Sequence, residues 1–551
     1  MKKFILGLSI ILTGLFGSCG GEKEKDSEEM GMLFRYNEPA NIKTLDPARV
    51  VRFEDFIAVG NIFNGLVTLD QNMKVQPDLA EYWTVSKDGL EYTFYLRKGV
   101  LFQDSPHFND GSRVLNAYDV IYSYSRIMDP EFGSPGKYVF SNVDRSKKSN
   151  YKGIAAIDDF TVKIFLKQPQ PSFLYQLSLP YGYIVPHEVV EAEGEMFGLH
   201  PIGTGPFKLI KWKYDVKMVL GRNEHYFEVD DQGNQLPYLD AVSVSFIADK
   251  HSELVQFKNN NFEMISGLNE DEKDNVLDLN GDLVSGLQND HYLIKTPWLY
   301  TEYLGILVDE EIELDDNKIL MNQKVRQAIG YAIDRKGIIK YIRNNVGIPA
   351  TKGFIPMGMP DFDKYAIDGF NYDLDKAKKL LLESGYANAS NKPKITLRAT
   401  VDYKGMCEYL QKQLDELGLD VTIDIIEGSY MNTTIAQFET NFYRKSWIAD
   451  FPDAINYFQL FYSKNFYPDN GLNYTHFSDA SYDAIYEKAI VEDSVELRYN
   501  YYKQMNQILH EQAPVIPIYY GETLRFYNKS VSGVESNALN MLDLTRVKVE
   551  K

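Results

Sequence analysis

Apolar positions in this chain of 551 residues recur at two periods, and the two alternate from one end to the other. Period two, the mark of a half-buried strand, runs through Glu91 to Leu96 (EYTFYL), Val162 to Leu166 and Val242 to Phe246. Lys87-Asp88-Gly89 precedes the first of these and carries the Asp-Gly signal of a hairpin turn. Helical stripes dominate further on. In NQKVRQAIGYAID, Val325, Ala328, Ile329, Ala332 and Ile333 stand at i, i+3, i+4, i+7 and i+8, one face of a helix. Asp373 is placed to cap a helix that turns Ala377, Leu380 and Leu381 inward and stops at Gly385. Leu410, Leu414 and Leu417 form a third stripe ending at Gly418, and Asp420 to Ile426 (DVTIDII) alternates again, so helix feeds strand as in an α/β unit. Tyr482, Ile485 and Ala489 mark a fourth helix. No segment repeats, and every stripe reads as core.

The first twenty residues follow neither period. Lys2 and Lys3 precede an unbroken weakly polar to apolar run, Phe4 to Ser18, and then Cys19. That run is shorter than the ~20 residues of a spanning helix and has the length of a signal-peptide core. Gly17 and Ser18 before Cys19 resemble a lipoprotein processing site, with Phe16 where a Leu commonly stands. By that resemblance residues 1–18 are a signal peptide and Cys19 is acylated; the other reading is a plain secretory signal cut elsewhere. Residues 19–29 are polar and charged and read as a flexible tether, its acidic run resembling either a surface-export signal or a solvated spacer. No other apolar run approaches spanning length, so the expected attachment is a lipid anchor and the expected location the cell envelope. The second cysteine, Cys407, then has no partner and reads as a buried apolar residue.

Composition narrows the function. Hydrophobic residues make up 44% and charged residues 25%, which excludes a disordered chain, a coiled coil and a collagen-like repeat. The net charge of −20 becomes −22 once Lys2 and Lys3 are removed, a poor match to nucleic acid. The 39 Tyr and 31 Phe suit either a sugar- or peptide-binding cleft or β-rich packing. The eight histidines form no H-E-x-x-H or H-x-H, and neither a G-x-S-x-G elbow nor a phosphate-binding P-loop occurs. Asp278-Leu-Asn280-Gly-Asp282 reads as a turn, since Asn289 stands where a calcium loop needs a bidentate Glu. No enzyme, metal or cofactor is indicated.

A series of segments carries a more specific signal. In order they are Thr44-Leu45-Asp46-Pro47, Ile62 to Leu66, PDLAEYW (Pro77 to Trp83) and DGLEYTFYLRKGVLF (Asp88 to Phe102). Ala117-Tyr118-Asp119-Val120, GTGPFKL (Gly203 to Leu209) and Asn223 to Phe227 follow. VRQAIGYAIDR (Val325 to Arg335), YDLDKAKKLLLESGY (Tyr372 to Tyr386), WIADFPD (Trp447 to Asp453) and APVIPIYY (Ala513 to Tyr520) complete them. Together they resemble the family 5 extracellular solute-binding proteins, the oligopeptide- and dipeptide-binding receptors of ABC importers. Two of these pieces also have local structural readings: GTGPF as a glycine-rich turn and Asp46-Pro47 as a turn initiator.

The resemblance implies an α/β, two-lobed fold of the periplasmic-binding-protein type II kind with an extra inserted domain, the three-domain arrangement of cluster C. Lobe I is expected at about 30–66, 187–298 and 517–551, the insertion at about 67–186 and lobe II at about 299–516. It further implies a monomer that passes short peptides to the permease subunits of an ABC transporter. Relatives that take oligosaccharides, nickel complexes or haem make a non-peptide solute the alternative, with a secreted hydrolase behind it. In the W-x-x-D element, Trp447-Ile448-Ala449-Asp450, the resemblance assigns Asp450 to the peptide α-ammonium and Trp447 to a side-chain pocket or to core. The backbones of Ser446 and Ile448 would pair with the peptide as an added strand. Arg444 is the expected partner of the peptide carboxylate, with Arg398 as its substitute, and Phe53 is expected to line the cleft through its backbone.

Overall fold

The computed structural model describes residues 31–269, 271–312, 318–386, 392–469 and 471–550. The expected signal segment 1–18, Cys19 and the tether 19–29 lie outside the described residues. In chain order the main strands are β1 (Leu33–Asn37), β2 (Ala80–Val85), β3 (Glu91–Leu96), β4 (Ile154–Asp158), β5 (Thr161–Phe165), β6 (Phe207–Lys213) and β7 (Lys217–Arg222). They continue with β8 (Ala241–Ser245), β9 (Met264–Ser266), β10 (His291–Ile306), β11 (Lys394–Thr400), β12 (Asp420–Ile426), β13 (Phe442–Ile448) and β14 (Val515–Asn528).

One large sheet has the order β12-β11-β13-β10-β14-β9-β1-β8-β7-β6, with Ile348–Pro349 pairing to β14. Its two long central strands, β10 and β14, run antiparallel and belong to both ends of it. His291 to Pro297 pair with Asn528 to Glu522, and Thr301 to Gly305 pair with Tyr520 to Val515. Between these stretches the register shifts, so Trp298, Leu299 and Tyr300 bulge opposite Gly521. Pro297 has no N–H to give the ladder there. Gly521 leaves room for the bulge, since a Cβ on it would stand 2.9 Å from the Tyr300 ring. The sheet is thereby divided, and the molecule has two lobes joined through this pair of strands.

A second, antiparallel sheet, β2-β3-β5-β4, is built from the segment between them. Its β2–β3 hairpin turns where Gly89 N donates to Ser86 O at 2.9 Å. Phe94 and Val162 of this sheet share one apolar cluster with Phe34 and Val244 of β1 and β8, whereas the clusters of the β13 side take from the inserted segment only Met73 and the half-buried Tyr175. The inserted sheet is thus packed as part of the first lobe.

The helical stripes face inward as their spacing requires. Val325, Ala328, Ile329, Ala332 and Ile333 are fully buried in Gln323–Ala332 and its C-cap. Asp373 accepts from Lys376 N at 2.9 Å and caps Leu374–Glu383. Cys407 is buried in Lys404–Leu417, and burial pushes its thiol up to about 12.

Two local readings gain a different or fuller reason. Gly203 and Gly205 serve close approach rather than a left-handed turn: a Cβ on either would lie within 2.4 Å of the Ile62 backbone. Asp46 is buried and does more than start a turn, accepting from Arg126 Nη1 and Nη2 at 3.1 and 2.7 Å. Asp278 accepts from the amides of Asn280 and Asp282 at 2.8 and 3.0 Å, the turn expected there. Among the described residues no helix is long and apolar enough to cross a membrane.

Candidate ligand-binding site

Strand β13 runs up to the cavity that begins at Asp450, and none of its own residues is among those lining it. Asn441 O accepts from Leu307 N at 3.0 Å, and Ala449 N donates to Leu299 O at 2.9 Å. In an antiparallel ladder the direction alternates, so the odd-numbered residues between them turn their N–H and C=O groups toward β10 and the even-numbered ones turn away. On the outer side β11 reaches β13 only at the Arg398–Tyr443 pair. Beyond it, the outward amides and carbonyls of Ser446 and Ile448 meet no strand among the described residues. This is an open edge of the kind to which an extended chain adds.

The strand leads into a small hydrogen-bonded unit. Trp447 Nε1 donates to Asn456 Oδ1 at 2.9 Å, and Asn456 Nδ2 donates to Asp450 Oδ2 at 3.3 Å. An indole can only donate, which fixes the orientation of the Asn456 amide and leaves its N–H face to Asp450. Asn456 is 1% exposed, held in the short helix Ile455–Phe458. Asp450 is open to small molecules yet has protein around it, the situation of a group inside a cleft. Lost hydration raises its carboxyl above the ordinary range, and the Asn456 bond offsets only part of that.

Asp450 opens into a cavity of about 540 Å³, a size suited to a small ligand. One wall comes from the inserted segment, through Tyr138, Asn142, Gln168 and Gln170; the facing wall comes from the second lobe, through Asn456, Leu472 and Arg498. Burial and then the charge of Asp450 hold the Tyr138 and Tyr181 hydroxyls above the ordinary phenol range, so the field of Asp450 reaches across. Those two rings meet edge to face at 6.0 Å, and Tyr181 donates to Val50 O at 2.8 Å. Phe53 begins the helix Phe53–Gly60, which packs on Tyr181 through Phe56; Phe53 itself is not among the residues lining this cavity.

The two arginines depart from expectation. Arg444 is buried and its fork is closed on Glu302: Nη2 donates to Oε2 at 2.5 Å, Nε donates to Oε1, and Tyr519 adds a hydroxyl to Oε2 at 3.3 Å. Its expected carboxylate partner therefore comes from the chain itself, because a fully buried Glu302 needs that cation. Arg398 is likewise taken, Nε donating to Asp424 Oδ2 at 2.8 Å and Nη1 to Glu439 O at 3.2 Å, on a strand outside the cavity. Asn456, Tyr138 and Arg498 carry no local sequence signal and were found only by the fold. The one group of metal-ligating residues among the described residues, Asp119, His187 and Glu188, is spanned by Arg113, which donates to both carboxylates at 2.6 Å.

A two-lobed α/β molecule with an inserted sheet and two long strands shared by the lobes has the fold of the periplasmic-binding-protein type II kind. Residues 74–469 match the model for "Bacterial extracellular solute-binding proteins, family 5 Middle", and the chain belongs to that family. It is 26% identical to the dipeptide-binding protein DppE of Bacillus subtilis, covering 98% of this chain and 96% of that protein. Heme-binding protein A of Haemophilus influenzae is 28% identical over 86% of this chain and 84% of its own length. Among solved structures, the periplasmic binding protein DppA from Helicobacter pylori, in complex with the peptide STSA, superposes with a TM-score of 0.74. The two are 26% identical, over 95% of this chain and 99% of that one.

Proposed function

We propose that this protein captures short peptides between its lobes and delivers them to the permease of an ABC importer, without catalysing a reaction on them. The observation that carries this reading is the junction of two complementary features. The outward backbone groups of Ser446 and Ile448 offer strand pairing to any extended main chain, and the ladder leads to Asp450, a carboxylate open to the cavity with one weak hydrogen bond. A peptide presents main-chain groups and an α-ammonium in that same succession. Trp447, held in place by Asn456, stands between Ser446 and Ile448 on the same strand end. Peptide-binding relatives, DppE and the STSA complex among them, support the same reading.

On this reading the signal segment 1–18 is removed, Cys19 carries lipid and residues 19–29 tether a monomer at the envelope. The lobes divide at about 30–66, 187–298 and 517–551 against 299–516, with 67–186 inserted, and ligand draws them together. Replacing Asp450 by Ala leaves the ammonium without its partner, and breaking such a pair costs about 3–5 kcal/mol, or roughly 10²–10³ in affinity. Titration of the Asp450→Ala protein with peptides is the test; wild-type affinity in that variant refutes the assignment.

A further inference from the structure

Strand order places β6 and β7 at the end of the large sheet away from β13 and its open edge. Their hairpin, Ile210 to Lys217 (IKWKYDVK), interleaves lysines with apolar and aromatic residues. Ile210, Tyr214 and Val216 are 55%, 52% and 49% exposed, and Lys211, Lys213 and Lys217 are exposed among them. Register joins the hairpin to the strands beside it. Lys211 pairs with Val219, Val219 with Ser243 and Ser243 with Arg35, one row across β6, β7, β8 and β1 and hence one face of the sheet. That row lines a broad groove, which Lys213, Lys217 and Lys529 also border.

The charge of this face runs against that of the molecule, which carries −20 overall. Arg35 is paired with Glu263, its Nε donating to Oε2 at 2.9 Å. The ammonium groups of Lys211, Lys213, Lys217 and Lys529 have no hydrogen-bond or ion-pair partner among the described residues, and the carboxylates left on the groove are those of Asp290 and Glu550. Lysines on an edge strand also guard it against pairing with another sheet. That accounts for Lys211 and Lys213 of β6. It leaves Lys217 and Lys529 unexplained, and three exposed apolar side chains at the same tip work against it.

The chain enters the fold at this face. Gly31 and Met32 line the same groove, and Met32 N donates to Asp240 Oδ2 at 2.6 Å. Gly31 stands twelve residues after Cys19. Twelve residues span at most about 43 Å, less than the ~60 Å breadth of a molecule of this size. With Cys19 lipidated, as proposed above, the end of the molecule that carries the groove stays beside the membrane.

We infer that the β6–β7 hairpin and the groove beside it rest on an anionic phospholipid surface, the lysines against its phosphates and Ile210, Tyr214 and Val216 among its headgroups. This goes beyond peptide capture and rests on the lipid attachment proposed with it. Docking there orients the receptor on the membrane and keeps β13, toward the other end of the sheet, clear of the contact.

The test is co-sedimentation with vesicles at low salt, using the chain from residue 19 onward made as Cys19→Ser so that no lipid is attached. One set of vesicles is phosphatidylglycerol mixed with phosphatidylcholine, the other phosphatidylcholine alone. Binding to the first set is expected to be at least about 10-fold the stronger and to fall as salt is added. A lysine near such a surface is worth roughly a fivefold change. Lys211→Gln, Lys213→Gln and Lys217→Gln together are therefore expected to weaken binding about 100-fold, with peptide affinity in solution unchanged. Tyr214→Trp is expected to be quenched by brominated lipid. Equal binding to the two sets, no binding to either, or full binding by the triple variant overturns the inference. So does binding that appears only once Glu22, Glu24, Asp26, Glu28 and Glu29 are replaced by Ser, which would seat the chain's own acidic segment in the groove. Because the protein tested carries no lipid, these outcomes leave peptide capture untouched, and mass spectrometry of protein extracted from the envelope tests the lipid on Cys19 separately.

Discussion

Asp450 is held at a disadvantage in the empty protein. Its folded-state pKa lies above the ordinary carboxylate value of 3.8, burial being the cause. The proton is therefore bound more tightly folded than unfolded. The stability this lends is complete below the unfolded pKa and lost as pH rises through the folded one. In the empty protein, folding thus disfavours the ionised form of this carboxylate. Asp450→Asn is expected to melt at or above the wild-type temperature at pH 7, with the difference closing as pH falls toward 4, while peptide affinity collapses. Wild-type affinity itself is expected to weaken as pH falls through the raised pKa, since an ammonium needs the ionised partner. Thermal melts and titrations across pH 4–8 check both signs. Asn456 is the positioning residue here. Asn456→Ala leaves the Trp447 N–H without its acceptor, with an expected loss of about 1–3 kcal/mol in urea unfolding and weaker peptide binding.

At the scale of elements, the Arg444–Glu302 pair fastens β13 to β10 beside the binding edge. Arg444→Met strands a fully buried carboxylate and is expected to cost about 3–5 kcal/mol, and adding Glu302→Leu to it is expected to recover most of that. Chemical denaturation measures the stability, and peptide affinity is expected to survive in the double variant, which it would not if Arg444 held the ligand. This pair also marks where sequence reading stops. The helices carrying Val325 to Ile333 and Leu410 to Leu417 are legible because periodicity is local, and the alternation of DVTIDII locates β12 at Asp420–Ile426. Trp447, Ser446, Ile448 and Asp450 are neighbours in sequence, so one motif points to them together. Glu302 stands 142 residues from Arg444, and Tyr138, Gln170 and Arg498 come from segments with no shared pattern. A fork's partner is decided by which strands become adjacent. From sequence, Arg444 looks free for a ligand; in the fold Glu302 reaches it first.

For the whole molecule, the division of the sheet at Pro297 to Tyr300 and Gly521 is where the proposed turning of one lobe on the other would take place. The inserted sheet shares its core with β1 and β8, so the proposed closure would carry it with the first lobe and bring the cavity wall bearing Tyr138 and Gln170 against the wall bearing Asp450. Peptide contacts made to both walls favour the shut arrangement, and small-angle scattering is expected to record a smaller radius of gyration on peptide addition. The measurement closest to the central claim is the wild-type affinity for di- to tetrapeptides with free amino termini, set beside the same peptides Nα-acetylated. Acetylation removes the charge that the account assigns to Asp450, and the account predicts about a 10²–10³-fold loss. Equal binding of the two sets, or no binding of the free peptides, contradicts it.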